Sequence, residues 1–452
     1  MTLEYKAFLW FVEKMGTEQW NGRREKVINY LKDIDASLYQ LDHGTDGKIK
    51  PIAVYDDWMA WYLFLVETAS TYPWPADHIQ LARIKPFFNA IGRGLLYLER
   101  MTGIEERVQT MLSKNRNQPD ASLFELVVAL TYHKNGWTVS FLEESKTGRM
   151  PDLLAKKSGK SIYVECKRLA KVNNYAEAER QAWVKRWLAA GLAIAKARVP
   201  VSVHVRFDVP IEEVPENALA EAFESYFKSP HLVWKEERAF TGFRMTVTPI
   251  HLPSVNASLN EAPAKHSSPA LLNALLGKFD PLGNYTCLLL PHELGHFGET
   301  DIEILLSKCI LSLQFAAVGS WESLSVAAID QKAKDIKKLL SKAVSQIPEG
   351  ALGAIHVGYE TVLGPEVEQI RHEKIQETVY SFYYEDKAIN AIYCHAIQPL
   401  ATLEGFECAE TISFFIKDST YVLEDKLVLD PPGLETRPTT HWEEDLIRKK
   451  NG

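Results

Sequence analysis

The sequence predicts an α/β protein built on a mixed sheet packed by helices. Three observations carry that expectation. Helical periodicity dominates the first 115 residues. A helix–strand–strand–strand–helix–strand order occupies about 120–208. Strand-like and helical runs then alternate through the C-terminal half.

Taken in order, Leu3 to Leu31 mixes aromatics with charges at helical spacing, and Trp58 to Val66 is dense in aromatic and aliphatic residues, as in a buried helix. Pro73 and Pro75 interrupt the pattern, and helix resumes from Ile79 to about Leu112. The polar segment from Ser113 to Asp120 reads as a boundary. A helix over 121–134 is followed by a strand over 137–142, two short strands, a helix over about 175–198 and a strand from Val201 to Phe207. Further on, the pattern predicts a helix near 216–228, a strand near 242–250, a polar loop over 254–268 and a strand from Tyr285 to Leu290. Ile336, Leu339, Leu340, Ala343 and Ile347 stripe a helix over 328–347, which Pro348 and Gly350 end. Strand-like runs follow at 352–358, 390–396 and 411–416, and the chain closes in a Pro-rich surface tail from Pro431. These shifts suggest a helical region over 1–115, a core over 116–210 and an accessory or inserted α/β region over 211–325. A C-terminal α/β region over 326–430, with the option of packing on the core sheet, and a polar tail over 431–452 complete the division.

A length of 452 residues implies about two to four domains. The 46% hydrophobic and 24% charged content is that of a globular chain, which excludes a fibrous rod or a mostly disordered protein. No apolar run reaches the ~18–20 residues of a membrane span. The first 20 residues carry acids among their apolar positions, unlike an export signal. With 51 basic and 59 acidic side chains the net charge is −8, so binding nucleic acid by bulk charge is excluded but a local basic patch is not. Cys166, Cys287, Cys309, Cys394 and Cys408 form no C-x-x-C pair, which fits reduced thiols in the cytoplasm.

The chemistry-bearing segment runs from Met150 to Arg168. Two strand-like runs flank Lys157-Ser-Gly-Lys160, a hairpin turn. With Ser158 and Gly159 as the loop, Asp152 lies opposite Glu165, and Lys167 shares their face. The other face holds Leu153, Ala155, Ile162, Val164 and Cys166, which is core material. Two facing carboxylates repel unless a cation lies between them, and a hard divalent ion with oxygen ligands relieves that repulsion. Glu125 on the preceding helix offers a third acid. A competing reading makes Ser122-Leu-Phe-Glu125 a helix capping box.

Pro151-Asp152, Glu165-Cys166-Lys167 and the helix acid Glu125 resemble the PD-(D/E)XK superfamily of restriction endonuclease-like nucleases, over about residues 120–208. The resemblance implies the αβββαβ core of that family and cleavage of phosphodiester bonds, leaving a 5′-phosphate and a 3′-hydroxyl. It implies Mg²⁺, with Mn²⁺ as an alternative, held by Asp152, Glu165 and Glu125 and by the backbone carbonyl of Cys166, and Lys167 acting on the attacking water. Gln181 is followed four residues on by Lys185, so the Gln–Tyr pair of some family branches is at best partial. The expected function is a Mg²⁺-dependent nuclease, with DNA ahead of RNA as substrate.

Charge agrees with that partner. From Glu143 to Pro200 there are thirteen Lys or Arg against six acids. Arg149, Arg168, Arg180 and Lys185 are the candidate phosphate contacts. The lysines at 332, 334, 337, 338 and 342 form a second basic face, read as solvated surface. The remaining regions are left for target recognition, a homodimer contact or a partner surface. Two other readings compete: a nucleic-acid-binding module without catalysis, and a zinc metallopeptidase through His292-Glu293-Leu-Gly-His296. The latter needs its two histidines on one helix face. Pro291, Gly295 and Gly298 instead predict a loop over 292–299, and Thr300-Asp-Ile-Glu303 predicts a helix start that runs on through Ile304, Leu305, Leu306 and Ile310.

Overall fold

The computed structural model describes residues 1–38, 56–143, 150–169, 174–228, 235–266, 268–333, 336–384, 387–417, 423–429 and 434–451. The chain opens with helices α1 (Leu3–Met15), α2 (Thr17–Leu38), α3 (Trp58–Thr71), α4 (His78–Leu98) and α5 (Ile104–Leu112). Asp57 caps α3 by accepting the Ala60 N–H, and Arg23 of α2 pairs with that same carboxylate at 2.6 Å. Helices α1 and α4 approach at Gly92, where a Cβ would lie only 1.9 Å from the Leu3 carbonyl oxygen.

Next come α6 (Pro119–Lys134), β1 (Thr138–Phe141), β2 (Leu153–Lys157) and β3 (Lys160–Arg168). A long middle stretch follows: α7 (Asn174–Ala197), β4 (Val201–Phe207), α8 (Ala218–Phe227), β5 (Arg238–Phe240), β6 (Phe243–Pro249), α9 (Leu252–Glu261), α10 (Pro269–Leu276), β7 (Asn284–Gly295), α11 (Asp301–Ser307) and β8 (Cys309–Ser323). The chain ends with α12 (Val326–Lys332), α13 (Ile336–Val344), β9 (Leu352–Glu360), α14 (Pro365–Ser381), β10 (Ala388–Ala401), β11 (Phe406–Ile416) and α15 (His441–Asn451).

The strands form two mixed sheets. The first has the order β1-β2-β3-β9-β10-β11, with β9 parallel to both β3 and β10. The second has the order β5-β6-β4-β8-β7. The fold class is therefore mixed α/β, but the expected placement of Val201–Phe207 is corrected. That strand lies at the centre of the second sheet, between β6 and β8, and α7 packs with α8 in the same unit. The strand beside β3 is β9, and the helix on that face is α13. A parallel partner needs a crossover, and here everything from α7 to α13 lies within it.

Helix α6 packs on the Leu153, Ala155, Ile162, Val164 and Cys166 face of the β2–β3 hairpin, and these five join the core that includes the N-terminal helices. Helix α13 covers the other face through Ile336, Leu340, Ala343 and Val344, with Tyr163, Ile355 and Val357 in the same cluster. A buried hydrogen-bonded series, Tyr132–His356–His395–Glu410, ties α6 to β9, β10 and β11.

Other departures have local causes. The polar loop expected over 254–268 contains α9, whose Asn256 exchanges two hydrogen bonds with the Leu313 backbone of β8. The helix starting at Thr300 carries the expected capping box but stops at Ser307, so Ile310 belongs to β8. The tail includes α15, which buries Trp442 beside His372. Among the described residues, no helix is long and apolar enough to cross a membrane.

Candidate active site

The hairpin sets the site. Ser158 and Gly159 both have positive φ, 50° and 77°, as a two-residue turn of the hairpin type requires. The resulting pairs, Leu153↔Val164 through Lys157↔Lys160, have the expected register. One residue before the ladder, Asp152 Oδ2 accepts the Cys166 N–H at 2.8 Å. That bond locks the aspartate against the strand carrying Glu165 and Lys167.

Glu125 arrives from α6. The helix begins at Pro119, so Ser122 is not its N-cap, and the capping-box reading of Glu125 is not realised. The Glu125 side chain is buried, with Oε2 3.1 Å from Arg107 Nη1. The same Nη1 lies 3.7 Å from Asp152 Oδ1, and the other nitrogen, Nη2, donates to the Leu142 carbonyl at 3.1 Å. Arg107, on α5, thus bridges two of the acids. Lys167 Nζ pairs with Glu165 Oε1 and donates to Gln346 Oε1 at 2.6 Å. Gln346 Nε2 donates to the Met150 carbonyl at 3.2 Å. Gln346 follows α13, so the far side of the crossover closes the site.

Three carboxylates therefore share one buried place with two cations. Burial raises the Glu165 carboxyl to about 8, with Asp152 adding to the rise and Lys167 opposing it. Burial likewise raises Glu125 well above the usual carboxylate range, helped by Asp152 and opposed by Arg107. Asp152 is raised by burial against the pull of Arg107 and the Cys166 amide. Glu165 Oε2 is buried without a hydrogen bond, and Glu125 Oε2 is buried with the Arg107 ion pair as its contact. All-oxygen donors with unsatisfied lone pairs suit a hard divalent cation in chemistry. In the present placement, however, no group of three or more His, Cys, Asp or Glu among the described residues is arranged to hold a metal ion. Arg107 and Lys167 supply the positive charge between the acids, and one Asp152 oxygen is taken by the backbone.

Of the sequence-derived candidates, Asp152, Glu165, Lys167 and Glu125 come together. Cys166 turns its thiol into the core, where burial pushes it well above its ordinary range. The ligand the resemblance implies at this residue is the backbone carbonyl, not the thiol. Arg168 is corrected as a phosphate contact. Its side chain is 4% exposed, pairs with Glu360 at 3.1 Å and lies 4.8 Å from the Phe87 ring centroid. Arg180 and Lys185 lie on α7, in the unit of the second sheet. Arg180 is held by Glu177 at 2.8 Å, and Lys185 is exposed. Arg149 falls outside the described residues. Arg107 and Gln346 were not legible as site residues, because no local pattern marks either one.

The H-E-x-x-H motif does not form the helix that zinc peptidases use. His292 and Glu293 are exposed on β7, an edge strand, and His296 follows its end. Extended chain separates residues four apart by ~13 Å, too far for two histidines to share an ion. The earlier expectation of a loop there is corrected in turn: the strand continues to Gly295, pairing with Cys309 of β8.

Comparison of the chain with family models, with curated proteins and with solved structures gave no match.

Proposed function

We propose that this chain is a Mg²⁺-dependent phosphodiesterase acting on nucleic acid, with DNA ahead of RNA, as an endonuclease of the PD-(D/E)XK type. One observation carries the reading. A hairpin and a helix bring Asp152, Glu165 and Glu125 into one buried cluster beside Lys167, where Glu165 Oε2 has no hydrogen bond and Glu125 Oε2 has only the Arg107 ion pair. Burying three acids together is costly, and structural needs alone are met more cheaply by apolar residues of similar size. Mg²⁺, or Mn²⁺ in its place, would be held by Asp152, Glu165 and Glu125 and would polarise the scissile phosphate when bound.

The chain's own residues do the rest. Gln346 and Glu165 hold the Lys167 ammonium from two sides, so it is positioned to donate to a water or to a phosphate oxygen at the site mouth. Hydrolysis joins the water oxygen to phosphorus and breaks the bond to the 3′ oxygen. One proton leaves the water, and one reaches the departing oxygen. Arg107 keeps the Glu125 and Asp152 charges from repelling each other before substrate arrives.

The deciding experiment incubates the purified chain with plasmid, single-stranded DNA and RNA, in MgCl₂ or EDTA. Lys167→Ala and Asp152→Asn run beside the parent. Cutting in Mg²⁺ alone, lost in both variants while their folding and DNA binding persist, is the expected result. Cutting by Lys167→Ala at the parent rate removes Lys167 from the reaction. A parent that cuts none of the three refutes the proposal.

A further inference from the structure

We propose that the outward face of α13 is a phosphate-binding rail that leads a nucleic-acid strand to Lys167. This rests on the phosphodiesterase reading and extends it to how substrate is held. The helix is two-sided. Ile336, Leu340, Ala343 and Val344 are buried against the first sheet, while Lys337, Lys338, Ser341, Lys342 and Ser345 are exposed. No acid occurs within Ile336–Val344. Among the described residues, none of the three lysines has an ion-pair partner.

Direction makes the face more than a solvated one. Lys338 and Lys342 lie four residues apart, so they share one side of the helix, and Gln346 lies two residues past its end. Gln346 holds Lys167. At 1.5 Å per residue the two lysines stand roughly 6 Å apart along the axis, and the chain turns out of the helix into Gln346. A row of ammonium groups backed by a carboxylate site fits an anionic polymer, which the row attracts and the carboxylates alone would repel. A membrane surface fits poorly, because the apolar face of α13 is already covered by the sheet. The lysine at 332, grouped with this face from sequence, is not part of it. Lys332 is buried and paired with Glu179 at 2.6 Å.

The test uses the full chain and fluorescently labelled duplex and single-stranded oligonucleotides in EDTA, with anisotropy read across a KCl series. Lys338→Glu combined with Lys342→Glu is compared with the parent and with a control, Lys156→Glu combined with Lys160→Glu. The control makes the same charge change near the exposed hairpin turn. The rail predicts at least a tenfold loss of affinity at low salt. It also predicts a salt slope smaller by about 1.4–1.8, since each of the two lost phosphate contacts contributes ~0.7–0.9. The control should stay within about twofold of the parent. Lys338→Gln combined with Lys342→Gln, which reverses no charge, repeats the measurement should the Glu pair fold poorly. Parent-like binding by the rail variants, or an equal loss in the control, overturns the rail while leaving Mg²⁺-dependent cutting by the parent intact. A parent that neither binds nor cuts nucleic acid overturns the enzyme reading, and the rail with it.

Discussion

Glu360 offers a measurement that separates a buried structural arginine from a nucleic-acid contact. It ends β9 with its side chain 4% exposed and holds two guanidinium groups, Arg83 at 2.5 Å and Arg168 at 3.1 Å. Breaking a buried pair by removing one partner costs about 3–5 kcal/mol, because the other charge stays desolvated. Glu360→Gln keeps the volume and removes the charge that two arginines share, so a loss of at least ~3 kcal/mol is expected. Arg168→Met costs less, about 2 kcal/mol, since Arg83 still neutralises Glu360. What it loses is a charged hydrogen bond and the contact with Phe87. Urea unfolding at pH 7, followed by tryptophan fluorescence, reads both. The double variant should cost less than the two singles together, as expected for groups in contact. A Glu360→Gln protein within 0.5 kcal/mol of the parent would show that water reaches the pair. An Arg168→Met protein of parental stability but weakened DNA affinity would return Arg168 to the substrate face.

Three further outcomes are expected. Glu165, raised by burial from 4.5 to about 8, keeps in the folded chain a proton that the unfolded chain releases. Its stabilising contribution is complete below about pH 4.5 and is lost as pH rises to about 8, on the order of 2–4 kcal/mol. Urea midpoints at pH 6 and pH 9 should thus differ more in the parent than in Glu165→Gln, and equal differences contradict the burial argument. His292→Ala combined with His296→Ala should leave nuclease activity and metal content unchanged. Stoichiometric zinc in the parent, lost in that pair, would revive the peptidase reading. A Cβ at Gly358 would meet the Phe124 ring at 2.7 Å, so Gly358→Ala should push α6 from β9 and cost about 1–3 kcal/mol. Cutting should fall with it, because Phe124 adjoins Glu125. Unchanged melting and cutting would mean that α6 tolerates the shift.

The hairpin was legible because its information is local. Ser158 and Gly159 accept positive φ, alternation assigns the faces, and register follows by counting. The strand over 352–358 was legible, but not that it, rather than Val201–Phe207, stands fourth in the first sheet. Val201–Phe207 alternates as cleanly as any strand here, and its pattern says nothing about which sheet it joins. Helix α9 was lost because Ser254, Asn256, Ser258 and Asn260 look like loop, with only Val255 and Leu259 buried. Helix α14 escaped because it buries charge: Glu368 and Arg371 pair at 2.8 Å inside the fold, which erases the apolar stripe. In the H-E-x-x-H segment the residue types matched a motif, and the strand pairing of β7 with β8 overrode it.

The same contrast explains the charge of the site. The acids were readable because two lie on one hairpin and the third on the helix beside it. Their neutralisation was not, because it is tertiary. Arg107 comes from α5 and Gln346 from the far end of the crossover, and neither is near Asp152 or Glu165 in sequence. Lys167 alone cannot balance three carboxylates. With Arg107 it leaves one negative charge over, which the raised carboxyls can meet by keeping a proton. Under the proposed reading a divalent cation would compete with that proton for the same oxygens, so cation affinity should rise with pH. The pairing of β3 with β9 brings Gln346 to Lys167. Local structure places the acids, and the long-range pairing of the first sheet completes the cluster around them.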